Sequence, residues 1–247
     1  MVEIPFVQQA YSLPSVNAAY QRCLNLYAEG VPADKSKVIL KKRSGQVIFV
    51  TVPNNNRRIY ASSDDRLFSV NGGVLTEVGT DGTLTERGTL STVTGAVSMA
   101  DNGVELVVVD GTNGYTFNLS TAVFATIDPV ATSFPQSATH VAFKDGYIIV
   151  NDPASNPKGA FYISALYDAT SWGGLDFGNA ESAPDSITSL ISTGRELWLF
   201  GPESMEVWYN SGANSFPFQR ISGAQSGIGI FAPYSLARME TSVFWLG

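Results

Sequence analysis

The sequence predicts an all-β chain, a β-propeller of four-stranded antiparallel blades whose ring is incomplete within this chain. Three observations carry that reading. Almost no segment shows the 3.6-residue apolar period of a helix, and Gly, Asn, Asp and Ser cluster every eight to twelve residues, as tight turns between short strands require. One unit also recurs, with first strands expected to start at residues 59, 96, 140, 187 and 234, at intervals of 37, 44, 47 and 47 residues. Such a period is that of a propeller blade. A two-sheet sandwich is the rival architecture, but nothing in it requires a constant period.

Taken in order, unit one comprises Ile59–Ser62, Leu67–Val70 and Val74–Val78, with turns at Ser63–Arg66 and Asn71–Gly73. Unit two runs Ala96–Ala100, Glu105–Val109, Tyr115–Leu119 and Val123–Ile127. Unit three runs His140–Phe143, Tyr147–Asn151, Phe161–Ser164 and a fourth strand near Leu175–Phe177. Unit four runs Ile187–Ile191, Leu197–Phe200, Glu206–Tyr209 and Phe216–Ile221, and unit five begins with Tyr234–Met239 and Val243–Leu246. Second strands such as Leu106-Val107-Val108-Val109 are apolar without alternation, which fits burial on both faces between stacked blades. Gly45–Val52 (GQVIFVTV) reads as a lone strand ahead of unit one. Because unit five has half its strands, the sequence is expected to be the front part of a longer polypeptide, or to receive strands from elsewhere. The domain reading is an extended basic arm over residues 1–44 and a partial propeller over 45–247, blades one to four and the start of a fifth.

Charge is distributed unevenly. Residues 1–58 carry eight basic side chains against three acidic ones, a net of +5, whereas residues 59–247 carry seven basic and nineteen acidic ones, a net of −12. An acidic body repels nucleic acid, since phosphate binding rests on Lys and Arg. The Lys35–Arg43 cluster is either the solvated start of a strand or a patch for an acidic surface. The single cysteine, Cys23, excludes an intrachain disulfide and suits a reducing compartment. The N-terminus has no basic leader followed by an apolar run, and no apolar stretch is long enough for a membrane helix, so a soluble protein is expected.

Chemistry-bearing residues are sparse. His140 is the only histidine, and a Cys23–His140 pair has no support beyond the presence of both types. No His/Cys spacing suggests zinc, and there is no phosphate-binding glycine motif. Asp64, Asp65, Asp101, Asp110 and Asp145 stand in turns, the last three beside Gly or Asn, and Asp is favoured there for bonding the turn backbone. A glycosidase carboxylate pair is the competing reading. Asp101-Asn102-Gly103 and Asp110-Gly111 lack the alternating acids and closing Glu of a calcium loop. Trp172, Trp198, Trp208, Tyr209 and Trp245 fit blade-to-blade packing, with sugar stacking in a lectin as the alternative. No catalytic, cofactor or metal residue is assigned, and a non-enzyme is expected.

Units four and five carry the most specific wording: ITSLISTGRELWLFGPESMEVWYNSGANSFPFQRISGAQSGIGIFAPYSLARMETSVFWLG. With Ala96–Ala100 and the opening Tyr20-Gln21-Arg22-Cys23-Leu24-Asn25-Leu26-Tyr27-Ala28-Glu29, this resembles the packaged-DNA stabilisation proteins of short-tailed bacteriophages, also called tail hub, tail accessory or nozzle proteins. The resemblance implies a structural virion protein of the tail, assembled in the host cytoplasm. It implies a homo-oligomeric ring, usually of six copies, below the portal and its adaptor protein. Such a ring closes the tail channel, retains the packaged DNA and supports a tail needle or other tail proteins. The DNA would pass an acidic channel without specific binding, and no membrane and no cofactor are implied. The subunit or adaptor interface is expected at Leu24, Leu26, Tyr27, Lys41, Lys42 and Arg43 of the basic arm. A carbohydrate-binding propeller that recognises a receptor is the alternative function.

Overall fold

The computed structural model describes residues 26–30, 38–42, 44–240 and 242–247. Its contacts divide the chain into two units, Met1–Phe49 and Val50–Gly247. In the first, β1 (Leu26–Gly30) and β2 (Val38–Lys42) pair antiparallel, with Leu26 opposite Lys42 and Tyr27 opposite Lys41. The segment expected as an extended arm therefore contains a hairpin.

The second unit consists of successive up-and-down sheets. Sheet one is β3 (Asn56–Ala61), β4 (Leu67–Asn71), β5 (Val74–Val78) and β6 (Leu84–Thr89). Sheet two is β7 (Ser98–Asp101), β8 (Glu105–Val109), β9 (Gly114–Asn118) and β10 (Phe124–Thr126). Sheet three is β11 (Val141–Lys144), β12 (Tyr147–Asn151), β13 (Ala160–Ala165) and β14 (Asp168–Asn179). Sheet four is β15 (Ser189–Thr193), β16 (Glu196–Phe200), β17 (Met205–Asn210) and β18 (Phe218–Ser226). A two-stranded sheet of β19 (Ala237–Met239) and β20 (Ser242–Phe244) follows. The only α-helix among the described residues is a single turn, Pro129–Thr132, capped by the Asp128 carboxylate.

Each sheet is all antiparallel and drawn from one contiguous stretch, so every connection closes locally. The hairpin at Asp145-Gly146 shows how sequence enforces this. Lys144 and Tyr147 pair directly, both turn residues have positive φ (49° and 90°), and Asp-Gly is the pair that tolerates such a turn.

Burial on both faces explains the unbroken apolar strands. In β8, Leu106 and Val108 join Phe68, Leu75, Tyr115 and Phe117 in the layer between sheets one and two. Val107 and Val109 point the other way, to Ile148, Val150, Phe134 and Trp172 between sheets two and three. The strand β12 repeats the device, since Ile149 turns to a third layer with Phe161, Leu197, Leu199, Trp208 and Phe218. These four apolar β8 side chains are fully buried, each contributing about 1.5–3 kcal/mol of transfer free energy.

Three details depart from the sequence expectation. Gly45–Val52 is not a strand: the segment has no sheet partner, and Val47, Ile48 and Phe49 stand exposed. Its β-prone composition is not enough, because an isolated strand has no ladder of hydrogen bonds to hold it. Unit one also has a fourth strand, β6, which carries no apolar signal because LTERGT is polar and mostly exposed at the outer edge. Tyr234 lies in a 3-10 turn, Pro233–Ser235, rather than in the first strand of unit five.

Candidate functional site

Four of the predicted interface residues, Leu26, Tyr27, Lys41 and Lys42, fall on the hairpin, and its register separates them. Directly opposite residues share a face. Tyr27, Lys41, Glu29 and Ile39 therefore lie on one side, and Leu26, Leu40 and Lys42 on the other. Lys41 forms an ion pair with Glu29 within the hairpin, and that hydrogen bond raises its pKa. Leu26, Tyr27 and Leu40 are 39%, 51% and 40% exposed. Leu24 and Arg43 lie outside the described residues, as do Cys23 and any pairing it makes.

In the second unit, polar chemistry is spent on the seams between sheets. Asp101, at the end of β7, is 5% exposed. It accepts hydrogen bonds from the Tyr60 hydroxyl (2.7 Å), the Ser63 amide (3.1 Å) and the Ser63 hydroxyl, so one carboxylate ties sheet one to sheet two. Burial and this bond raise the Tyr60 pKa. Arg57 donates to the carbonyls of Gly95 (2.7 Å), Gly72 (2.9 Å) and Thr92 (2.8 Å), closing the link between the same sheets. Arg66 pairs with Glu77 at 2.6 Å while its guanidinium lies 5.1 Å from the Phe68 ring centroid, and the two arginines beside Glu77 lower its pKa. Between sheets three and four, Lys144 donates to the Gly194 carbonyl (2.9 Å) and Ser192 to that of Phe143 (2.8 Å).

One polar position recurs in a way the sequence did not disclose. Asn71, Asp110 and Asn151 each stand where the second strand of a sheet ends. The Asn151 side chain accepts from the Thr139 and His140 amides (3.0 and 2.8 Å) and donates to the Ile187 carbonyl (2.9 Å), stitching sheet three to the start of sheet four. Asp110 accepts from the amides of Thr112 and Asn113 and the hydroxyl of Thr92. In sheet four the place is Gly201, and Asp185 supplies the carboxylate from outside, accepting from the Glu203 and Ser204 amides (2.9 and 3.1 Å). The shared signal is an Asn or Asp closing an apolar run.

His140 is buried, 6% exposed, just before β11. Nε2 donates to the Pro233 carbonyl (3.1 Å), which also accepts from the Ser189 hydroxyl, and the ring stacks on Tyr234 with centroids 4.4 Å apart. Nδ1 lies 3.1 Å from the Thr139 hydroxyl, itself held by Asn151. Burial chiefly, and Arg58 nearby, push its pKa down to about 4.

The turn aspartates do turn work: Asp101 and Asp110 bond the backbones of Gly103 and of Thr112 and Asn113. No group of three or more His, Cys, Asp or Glu among the described residues could hold a metal ion. The tryptophans pack into the sheets. Trp172 and Trp208 are buried, and Trp198, Phe200 and Trp245 cluster where sheet four meets β20. Tyr209, 37% exposed, bonds Gln219.

Among solved structures, the computationally designed Ika8 protein is similar at a TM-score of 0.52 and 15% identity, over 91% of this chain and 65% of that one. The chain thus spans just under two thirds of the length of Ika8, and the likeness concerns the fold alone. The designed Ika4 protein matches at a TM-score of 0.49 and 14% identity, over 67% of this chain and 99% of that one. No curated protein sequence matches. A family model described as "Bacteriophage P22 Gp10, beta-propeller" matches residues 3–247. With four-stranded sheets, polar seams and a match along almost the whole sequence, this chain belongs to that phage-stabilisation family of β-propellers and is a bacteriophage structural protein.

Proposed function

We propose that the protein forms a ring of identical subunits, six in number, in the tail of a short-tailed phage. The ring lies below the portal and its adaptor protein, closes the tail channel, retains the packaged DNA and carries the needle or other tail proteins. The observation that carries this reading is the family match along residues 3–247. The charge distribution supports it, because a body of net −12 gives DNA a wall to which it does not adhere. An arm of opposite sign suits head-to-tail closure, which joins two different patches on each subunit. The interface in this reading includes the arm segments around Leu24, Leu26, Tyr27, Lys41, Lys42 and Arg43.

A phage carrying a nonsense codon in this gene tests the function. Heads are expected to fill and then lose their DNA, so that lysates contain mostly empty particles. Particles that keep their DNA yet fail to adsorb to cells would instead establish the receptor-binding alternative.

A further inference from the structure

We infer that the β1–β2 hairpin docks through the face bearing Leu26, Leu40 and Lys42 onto the acidic propeller of a second copy of this chain. The inference rests on the ring reading and says which surface builds the ring. The two faces of the hairpin differ in what they leave unsatisfied. On the Tyr27 face the charges cancel internally, because Lys41 is taken by Glu29. On the other face the Lys42 ammonium has no ion-pair partner among the described residues and stands beside two leucines that are 39% and 40% exposed.

A two-stranded hairpin is marginal in water by itself, so a hairpin that displays two leucines on one face gains stability when that face is covered. The cover that Lys42 selects is acidic. The same polypeptide supplies one, since residues 59–247 carry nineteen acidic against seven basic side chains. Leucine contact gives the complex its lifetime, while the lysine sets register and the rate of encounter. A hairpin of one copy on the propeller of the next is a heterologous contact, the kind that generates a ring.

The test uses the full chain and two measurements. Sedimentation of the wild type is compared with Leu40→Asp, Lys42→Glu and, as a charge control outside the hairpin, Lys158→Glu. Leu40→Asp and Lys42→Glu are expected to weaken self-association at least about tenfold, the Lys42 effect shrinking as salt rises. Lys158→Glu is expected to change it less than about twofold. In the second measurement, a photo-crosslinking phenylalanine at position 40 is used in mixtures of isotopically light and heavy chains. Mixed light–heavy adducts on residues 59–247 support the docking even where a substituted chain folds poorly. A wild type that assembles while position 40 gives adducts only within its own chain, or none, overturns the docking and leaves the ring standing. A wild type that stays monomeric at every concentration overturns the ring reading and the docking with it.

Discussion

Replacing Phe161 by alanine is expected to lower the unfolding free energy by about 3–5 kcal/mol. Phe161 is fully buried in the layer between sheets three and four. Its ring meets Trp208 edge to face at 5.1 Å and Phe216 at 5.8 Å. On the remaining side it lies against Gly178, where an added Cβ would come within 2.5 Å of the ring. The backbone at Gly178 thus holds one wall of the cavity that alanine would leave, and two aromatic rings hold another, so the site cannot collapse. Denaturant unfolding of the full chain measures the effect. A loss below about 1 kcal/mol would mean that sheets three and four do not share a close-packed core.

Acid is expected to weaken the protein through His140, by about 3 kcal/mol between neutral pH and pH 4. The sign follows from the two states. The unfolded histidine titrates near 6.5, while in the folded protein burial holds the pKa down to about 4. Above 6.5 both states carry a neutral ring and the stability is full. As pH falls from 6.5 to 4 the unfolded chain takes up a proton that the folded one refuses, and stability drops over that window. Carboxylates with lowered pKa, such as Glu77 and Asp81, also cost stability as they protonate in acid, so the decisive quantity is a difference. His140→Gln should be less stable than wild type at pH 7 and should lack the portion of the slope lying between 6.5 and 4. Parallel pH profiles for the two proteins would exclude the buried histidine as its source.

The sheets were legible because their signals are local. Asp145-Gly146 writes its own hairpin, and the run Leu106–Val109 announces burial on two faces. First strands expected at residues 96, 140 and 187 begin at Ser98, Val141 and Ser189. What escaped depends on distance in the sequence. The polar strand β6 is a strand because β5 offers it an edge, and Gly45–Val52 is not one because no edge is offered. His140 gives no local sign of burial, since the groups that bury it, Pro233 and Tyr234, come 93 and 94 residues later. The hairpin was half legible. Lys41 and Lys42 look equivalent as neighbours in sequence, and only the register puts them on opposite faces, one paired with Glu29 and one without an ion-pair partner among the described residues. Asp101 is legible in the sequence as a turn residue, but its role in joining two sheets needs Tyr60, some forty positions away.

Cryo-electron microscopy of intact virions tests the central claim most directly. The account predicts density for this protein as a ring of identical subunits on the tail axis, beneath the portal and its adaptor, with acidic side chains outnumbering basic ones on the channel wall. Density confined to the tips of peripheral fibres, with none on the tail axis, would contradict it.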